Sequence, residues 1–456
     1  MSLSDVCTKI SDGTHHSPTV QHTDPAPGRY RYVTSKNIRP WGLDLGDITY
    51  LDEAVHREIF SRCNPELGDV LLTKDGANTG NVAINTLEEE FSLLSSVALL
   101  KLKRDIIDSR FVRYYLESPV GSKRLLGDMT GTAIRRIILR KIKETEIPVA
   151  PIDDQRRIVA EIEKQFTRLE AGVAALRRAQ ANLKRYRAAV LKAACEGRHV
   201  PTEAELARAE GRPFESGQQL LARILTERRK NWQGRGKYKE PVELDNLKLF
   251  PLPAGWTWTT LDALAEIKGG ITKDQNRKHT APTRSVPYLR VANVQRGYID
   301  LTEVKEIITT EDEINELALK PGDILFNEGG DRDKLGRGWV WSGQLPECIH
   351  QNHVFRARLH VADLNPKLVS WYANTFGQKF FFDEGKHTTN LASISMSKLK
   401  SLPVPIPPPS EQVRIVAEVE RRLSVVDELE AVVTTNLQRA TRLRQSILQK
   451  AFTGEL

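Results

Sequence analysis

The same sequence pattern occurs twice in this chain. IPVAPIDDQRRIVAEIEKQF begins at residue 147, and LPVPIPPPSEQVRIVAEVERRL begins at residue 402. From Gln155/Gln412 to Gly197/Gly454 a single offset of 257 residues aligns every position without a gap. A repeat of this length predicts two similar halves related by a pseudo-two-fold axis. Such a molecule offers two similar surfaces to whatever it binds.

The repetition extends upstream of these segments. The matching pairs are KNI at 36–38 with ANV at 292–294, LGDVLLTKDG at 67–76 with PGDILFNEGG at 321–330, FVRYYLESP at 111–119 with LVSWYANTF at 368–376, and TGTAIRRIILRKIKETEIPV at 130–149 with TTNLASISMSKLKSLPV at 388–404. The second copy has LPAGWTW before its first matched residue, Leu261, and the first copy does not. We therefore expect the first domain to be shortened at its N-terminus, whether the sequence begins there natively or not.

Each repeat ends in a long helical pattern with heptad spacing. The apolar positions are Ile162, Phe166, Leu169, Val173, Leu176, Leu183, Val190 and Ala194 in the first copy, and Val419, Leu423, Val426, Val433, Leu437, Ala440, Ile447 and Ala451 in the second. We call these sixteen positions, with the polar residues Gln180, Arg187, Glu430 and Arg444 that interrupt them, the seam. One apolar stripe on each helix predicts that the two copies pair as a coiled coil.

These patterns predict an α+β protein. It has two mixed α/β domains with pseudo-two-fold symmetry, separated by two long helices that form an antiparallel coiled coil. The expected segments are a first domain at 1–146, a first spacer helix at 147–197, a connector with an amphipathic helix (about 216–232) at 198–250, a second domain at 251–401 and a second spacer helix at 402–456. Short β-branched runs between turn residues favour a largely β core in each domain.

Positive charge concentrates in one stretch of the chain. Residues 155–250 carry 21 basic and 12 acidic side chains, whereas the whole chain has a net charge of +8. Either a polyanion binds nearby or these charges form a well-solvated helix face, and charge alone favours neither. Four scattered cysteines, no signal pattern and no long apolar run favour a reduced, cytoplasmic protein without a membrane span.

Glycine-rich loops follow equivalent strands in both copies. They carry Arg, Lys, Asn and His, the residue types that contact phosphates and base edges in DNA. Any one of these residues alone is more readily explained as a solvated loop residue, so the argument rests on their matching positions. The candidate DNA-binding residues are Thr14, His15, His16, Lys36, Asn37, Lys74, Asn78, Thr132, Arg135, Arg136, Lys273, Arg290, Asn293, Asn327, Arg332, Lys334, Arg337, Lys386, His387 and Asn390.

The sequence contains no motif of a catalyst. It has no phosphate-binding glycine loop, no dinucleotide fingerprint and no methyltransferase Asn/Asp-Pro-Pro-aromatic motif. The histidine pairs lack the carboxylate or cysteine spacing of a metal site. We therefore expect a binding protein with no catalytic residue, no cofactor and no metal.

The whole pattern resembles the specificity subunit of Type I restriction–modification enzymes. The residues that carry this resemblance are the Gly68-Asp69 and Gly322-Asp323 segments, the two proline-led helices with IVAE, and the endings KAACEG and QKAFTGEL. The connector LLARILTERRKNW, followed by YKEP and LPAGWTW, is similar as well. The resemblance implies two target recognition domains that each read half of a bipartite, asymmetric site in double-stranded DNA. It also implies that two methyltransferase subunits dock on the helices and that restriction subunits join the full complex.

Apolar residues beside the seam suggest where partners dock. Ile158, Val159, Val190, Leu191, Ile415, Val416, Ile447 and Leu448 lie near the helix ends, and we expect them to be exposed for partner binding. Two other functions stay open from the residues alone, namely a coiled-coil assembly scaffold without DNA recognition and an unrecognised DNA-modifying enzyme. The sequence does not give the target sequence, the spacer length, the loop residues that contact bases or the number of restriction subunits.

Overall fold

The computed structural model describes residues 1–127, 136–232, 236–244, 249–272, 281–330, 335–384, 386–387 and 392–456. The chain forms two compact units. Unit 1 comprises Met1–Ala179 and Val432–Leu456, and unit 2 comprises Gln180–Ala431. Each unit therefore contains one of the two repeats together with part of each long helix.

Unit 1 combines three small sheets with short helices. Its elements are α1 (Leu3–Val6), β1 (Cys7–Asp12), β2 (Arg29–Val33), β3 (Ile38–Arg39), β4 (Gly42–Leu43), β5 (Thr49–Asp52), α2 (Glu53–Arg62), β6 (Val70–Thr73), β7 (Val82–Ile84), β8 (Phe91–Leu93), β9 (Val97–Leu102), α3 (Ser109–Glu117), α4 (Pro119–Leu126), α5 (Leu139–Glu144) and the start of α6 (Ile152–Cys195). The sheets have the strand orders β1-β9-β6-β7, β5-β2-β8 and β3-β4.

Unit 2 repeats two of these sheets and contains further helices and strands. The elements of unit 2 are the end of α6, α7 (Glu203–Glu210), α8 (Gly217–Lys230), β10 (Thr257–Thr260), α9 (Leu261–Leu264), β11 (Ala265–Lys268), β12 (Thr283–Leu289), β13 (Lys305–Thr310), α10 (Glu311–Leu317), β14 (Ile324–Asn327), β15 (Gly329–Gly330), β16 (Gly338–Val340), β17 (Ile349–His350), β18 (Val354–Leu359), α11 (Pro366–Thr375), α12 (Gly377–Glu384), β19 (Lys386–His387), β20 (Ala392–Ser393), α13 (Met396–Lys400), β21 (Pro403–Ile406) and the start of α14 (Pro409–Thr453). The order β11-β18-β14-β16 matches β1-β9-β6-β7, and β13-β12-β17 matches β5-β2-β8.

The predicted mixed α+β domains are confirmed. In the segment predicted as the connector, the structure contains the helix α8 (Gly217–Lys230). Leu220 and Ile224 on α8 are buried in the main core of unit 2. The shorter helix α7 was not predicted, although Thr202 and Glu205 form the capping box that begins it. A threonine followed three residues later by glutamate is a signal that the sequence offered.

Two glycines fix the same close approach in each repeat. A Cβ on Gly13 would lie 1.7 Å from the Leu93 carbonyl oxygen, and one on Gly270 would lie 1.9 Å from that of His350. Only glycine fits where two backbones come this close. Leu3 and Leu261 are 258 residues apart, whereas these glycines are 257 apart. A β-bulge between Cys7 and Lys9 absorbs the additional residue of the first copy.

The two long helices pair along the seam within each unit, in an antiparallel sense. In unit 1, the Arg444 guanidinium near the end of α14 lies 4.0 Å from the ring centre of Phe166 and 3.5 Å from Glu170, both in the first half of α6. In unit 2, Arg187 near the end of α6 donates to Glu430 at 3.1 Å and to Asp427, both in the first half of α14. Arg187 and Arg444 are 257 residues apart, so these two arginines of the seam make equivalent cross-helix ion pairs.

A glutamine joins each long helix to its own domain. Gln155 donates to the backbone carbonyls of Ile106 (2.9 Å) and Ala150 (2.7 Å) and accepts from the Asp108 amide (3.0 Å). Gln412 donates to Pro407 O (2.9 Å) and accepts from the Asn365 amide (2.9 Å). Both glutamines are buried. We call each of these arrangements a glutamine lock.

Candidate nucleic-acid interface

In unit 1, hydrogen bonds hold several loops together where β6 leads into its glycine-rich loop. The Lys74 amide donates to Ser96 O at 2.9 Å, and the Ile137 amide donates to Lys74 O at 2.7 Å. The Asn78 side chain donates to Ser35 O at 3.1 Å. The loops after β2, β6 and β8 and the segment before α5 therefore lie side by side. Residues that are far apart in sequence can in this way contact one ligand.

A charged cluster lies among these loops. It consists of Asp12, His15, Arg62 and Lys74. The Asp12 carboxylate lies 3.3 Å from Lys74 Nζ and 3.1 Å from Arg62 Nη2, and that same Nη2 is 2.9 Å from His15 Nε2. Asp12 and Lys74 are buried, whereas the Arg62 side chain is 53% exposed. Lys74 thus balances a buried carboxylate, and Arg62 presents a guanidinium to solvent.

Unit 2 places a different pair at the equivalent loop. Glu328 follows β14, and its Oε2 lies 2.5 Å from His353 Nδ1. The Glu328 side chain is partly exposed and that of His353 is more so. This loop of unit 2 therefore presents an acceptor carboxylate and an imidazole in place of a guanidinium.

Asn37 and Asn293 have the same structural role in the two copies. Asn37 Oδ1 accepts from the Thr34 amide and its Nδ2 donates to Asp44 O, both at 2.9 Å. Asn293 makes the equivalent bonds to the Arg290 amide and Asp300 O, also at 2.9 Å. Both asparagines are buried. They stabilise a turn of the chain, so these two predicted DNA-binding residues shape the loop rather than project from it.

Three other candidates in unit 2 also donate to backbone carbonyls within that unit. Asn327 Nδ2 donates to Val294 O at 2.9 Å, and Arg337 Nη2 donates to Val291 O at 3.3 Å. Arg290 Nη2 lies 3.3 Å from Glu303 O. Asn327 is fully buried. Asn327 and Arg337 therefore hold the 291–294 turn against the glycine-rich loop, whereas Arg290 contacts Glu303.

Thr14, His16, Lys36 and Arg136 lie nearer the surface. His16 and Lys36 are exposed, and Thr14 Oγ1 donates to His16 O at 3.0 Å. Arg136 Nε lies 3.7 Å from the Asp75 carboxylate, and its side chain is 61% exposed. Lys386 and His387 form β19, whose backbone pairs with β20. Thr132, Arg135, Lys273, Arg332, Lys334 and Asn390 lie outside the described residues.

The expected exposure of the eight partner-binding candidates is wrong. Val159, Ile447 and Leu448 are buried in the core of unit 1, and Ile158 packs against that core. Val190, Ile415 and Val416 are buried in the core of unit 2, with Leu191 packed against it. The cause is physical, because the second apolar face at each helix end is covered by the chain's own domain. These residues join helix to domain and are not free for a partner.

Other apolar side chains on the helices do reach solvent. In unit 1, Val432 is 55% and Leu443 is 50% exposed. Leu443 lines a groove of about 1100 Å³ between α6 and α14, together with Leu169, Val173 and Leu176. In unit 2, Val425 and Leu429 on α14 are also exposed. Sequence reasoning assigned the seam correctly but did not single out these four exposed residues.

Arg62, Glu328 and His353 were also missed by sequence reasoning. Arg62 ends a helix and gave no loop signal, whereas Glu328 stands in the matched segment PGDILFNEGG, opposite Lys74 of the first copy. A comparison of charge between the aligned copies would have identified that position.

Within the described ranges, no group of His, Cys, Asp or Glu could hold a metal ion. All four cysteines, Cys7, Cys63, Cys195 and Cys348, are buried free thiols. A search of the described residues finds no helix long and apolar enough to cross a membrane.

Comparison with known proteins gives a consistent result. The family model described as "Type I restriction modification DNA specificity domain" matches residues 1–175 and 253–437. The Type I restriction enzyme EcoKI specificity subunit of Escherichia coli K12 is 23% identical over 433 residues, which is 93% of this chain and 82% of that protein. A chain from a structure of the type I R-M system aligns with a TM-score of 0.67 at 18% identity, covering 100% of this chain and 97% of that one. The HsdS subunit from Thermoanaerobacter tengcongensis aligns with a TM-score of 0.50 at 17% identity, covering 100% and 96%.

Proposed function

Because this chain belongs to the Type I restriction modification DNA specificity domain family, we propose that each of its repeats reads one half of a bipartite, asymmetric site in double-stranded DNA. The chain is the non-catalytic specificity subunit of such a system. One observation supports the division into two readers. The same loops are held by equivalent hydrogen bonds in both units, while the side chains they carry differ.

The proposed DNA-contacting residues are a subset of the sequence candidates with additions. In unit 1 they are Lys36, His15, His16, Asn78, Arg136 and Arg62, and in unit 2 they are Glu328 and His353. Exposed cations such as Lys36 suit phosphate contacts, which set affinity, and the loop side chains suit base edges. Thr132, Arg135, Lys273, Arg332, Lys334, Lys386, His387 and Asn390 stay proposed from the sequence alone.

A domain exchange tests the division of labour. Residues 251–401 are replaced by the matching domain of a relative with a known target, and the hybrid is produced with its methyltransferase subunit. Sequencing that detects methylated bases then gives the recognised site. The expected result is a change in one half-site with the other half unchanged. A change in both halves, or in neither, would refute the two-reader proposal.

The long helices are the proposed docking surface for two methyltransferase subunits, through which restriction subunits join. The support is that apolar side chains on α14 are exposed in each unit, Val432 and Leu443 in unit 1 and Val425 and Leu429 in unit 2. Exposed apolar side chains that recur along one helix are typical of an interface. These four residues replace the eight buried residues that the sequence suggested.

Mass measurement of the purified complex tests this docking. Wild type should carry two methyltransferase subunits, and Val432→Glu with Leu443→Glu should carry one. Arg442→Glu, an exposed change on the same helix, is the matched control and should keep two. If the double variant also carried two subunits, Val432 and Leu443 would not be part of a docking surface. If wild type carried only one subunit, the proposed ratio of two methyltransferase subunits per chain would be refuted.

A further inference from the structure

Lys74 and Glu328 occupy equivalent backbone positions in the two repeats. The Lys74 amide donates to Ser96 O at 2.9 Å, and the Glu328 amide donates to His353 O at 2.9 Å. Ile137 donates to Lys74 O at 2.7 Å, and Ile394 donates to Glu328 O at 2.8 Å. Ser96 and His353, like Ile137 and Ile394, are 257 residues apart. The two frames are therefore built alike and carry side chains of opposite charge.

The charge inversion changes what each loop presents to solvent. In unit 1, Lys74 is buried against Asp12, and Asp12 also holds Arg62 Nη2 at 3.1 Å. The Nε and Nη1 atoms of Arg62 make no hydrogen bond within the described part of the chain. In unit 2, Gly269 stands where Asp12 stands in unit 1. Gly269 supplies no carboxylate at this position, and Glu328 is the charged residue that stands in the place of Lys74.

The local partners fix both groups in orientation. The Arg62 guanidinium is held by a buried carboxylate, so its remaining N–H groups point away from Asp12 as a rigid fork. Glu328 accepts from His353 Nδ1 through Oε2 at 2.5 Å. Its Oε1 has no hydrogen-bond partner among the described residues. Arg62 is thus a positioned donor and Glu328 a positioned acceptor. Groups of this kind recognise bases by hydrogen bonding to their edges in the major groove.

We infer that the two recognition domains use opposite chemistry at this shared position. Arg62, positioned by Asp12, donates to the acceptor edge of a guanine in one half-site. Glu328 accepts from an exocyclic amino group, that of cytosine or adenine, in the other half-site. This inference rests on the proposed function. It names specificity-determining residues in each domain and a reason why the two half-sites differ.

Selection from a randomised duplex library tests the inference with the full-length chain. Wild type, Glu328→Gln and Arg62→Gln are each used to enrich bound duplexes, which are then sequenced. The amide introduced by Glu328→Gln would donate as well as accept, so preference for the amino-bearing base should fall about tenfold at one position, equivalent to about 1.4 kcal/mol. Arg62→Gln should relax guanine preference at one position in the opposite half. The base whose preference falls in the Glu328→Gln selection shows whether Glu328 contacts cytosine or adenine.

Each matched control removes a charge of the same sign from the same unit. Arg57→Gln lies on α2, the helix of Arg62, where Arg57 pairs with Glu90 at 2.6 Å. Asp312→Asn lies on α10 and is exposed. Both should leave the enriched motif unchanged. Thermal unfolding of every variant confirms that the domains are folded before the motifs are compared.

Two results would overturn the inference. One is a uniform loss of affinity with the motif intact, which would make Arg62 or Glu328 a phosphate or structural contact. The other is a change in both half-sites from a single substitution. A wild-type chain that enriches no sequence at all would instead refute the proposed function, and it would do so before any variant is compared.

Discussion

Replacing the two locking glutamines by alanine should destabilise the protein to different extents. The buried side chain of Gln155 makes three hydrogen bonds to backbone atoms, whereas that of Gln412 makes two. A buried hydrogen bond contributes about 1 kcal/mol, and a buried group left without a partner costs about 1–3 kcal/mol. We therefore expect Gln155→Ala to cost about 3 kcal/mol in unit 1 and Gln412→Ala about 2 kcal/mol in unit 2.

Hydrogen exchange measured by mass spectrometry is the suitable assay, because it resolves the two units. Gln155→Ala should speed exchange around residues 106–110, and Gln412→Ala around 363–368, each in its own unit. Gln445→Ala, an exposed glutamine on α14, is the control and should change neither region. If both lock variants matched this control to within about 0.5 kcal/mol, the glutamines would not be joining helix to domain, and the reasoning would fail.

Three further outcomes follow from burial and backbone geometry. Val159→Glu should lower the free energy of unfolding of unit 1 by about 3 kcal/mol or more, because it buries a charge in the core. Leu443→Glu, an exposed change, should leave the melting temperature nearly unchanged. Equal melting temperatures for the two variants would contradict the burial of Val159. Gly172→Ala should stabilise α6 by roughly 1 kcal/mol, because nothing lies within 4 Å of the new Cβ. In the same urea titration, Gly13→Ala should unfold unit 1. If Gly13→Ala were the more stable variant, the close backbone approach at Gly13 would be refuted. Burial lowers the pKa of His350 to about 4. As pH falls, the unfolded chain therefore binds a proton at this histidine before the folded chain does. The free energy of unfolding should have its full value above about pH 6.5 and should decrease by roughly 3 kcal/mol toward pH 4. Urea unfolding of wild type and His350→Gln at both pH values measures this, and an equal pH dependence in the two proteins would exclude His350 as the cause.

The sequence was sufficient for the fold because the repeat and the heptads are properties of spacing. Seam residues such as Ile162 and Val419 are buried as their period predicts. The residues beside the seam were assigned wrongly for a physical reason. Spacing determines on which helix face Val159 lies, but it does not determine whether that face meets the chain's own domain or a partner.

The candidate interface was predicted less well than the fold. Loop composition correctly marked the segments that meet in space, because glycines and polar residues follow strands in both copies. It did not separate side chains that hold a loop, such as Asn37 and Asn293, from those that face solvent. That distinction depends on tertiary hydrogen bonds. The sequence pattern does not show whether the side-chain amide of an asparagine bonds to the backbone seven residues away or faces solvent.

The glutamine locks bear on how such chains can diversify. Gln155 and Gln412 bond to the loops before α3 and α11 only through main-chain atoms, namely Ile106 O, the Asp108 amide and the Asn365 amide. This contact depends on the backbone of the domain and not on its side chains, so it tolerates sequence change in those loops. The apolar contacts that helix residues such as Val159 and Ile415 make in the domain cores still require apolar partners there. Genetic exchange can therefore supply a domain with different recognition loops, and the domain stays attached as long as the residues that pack on the helix remain apolar.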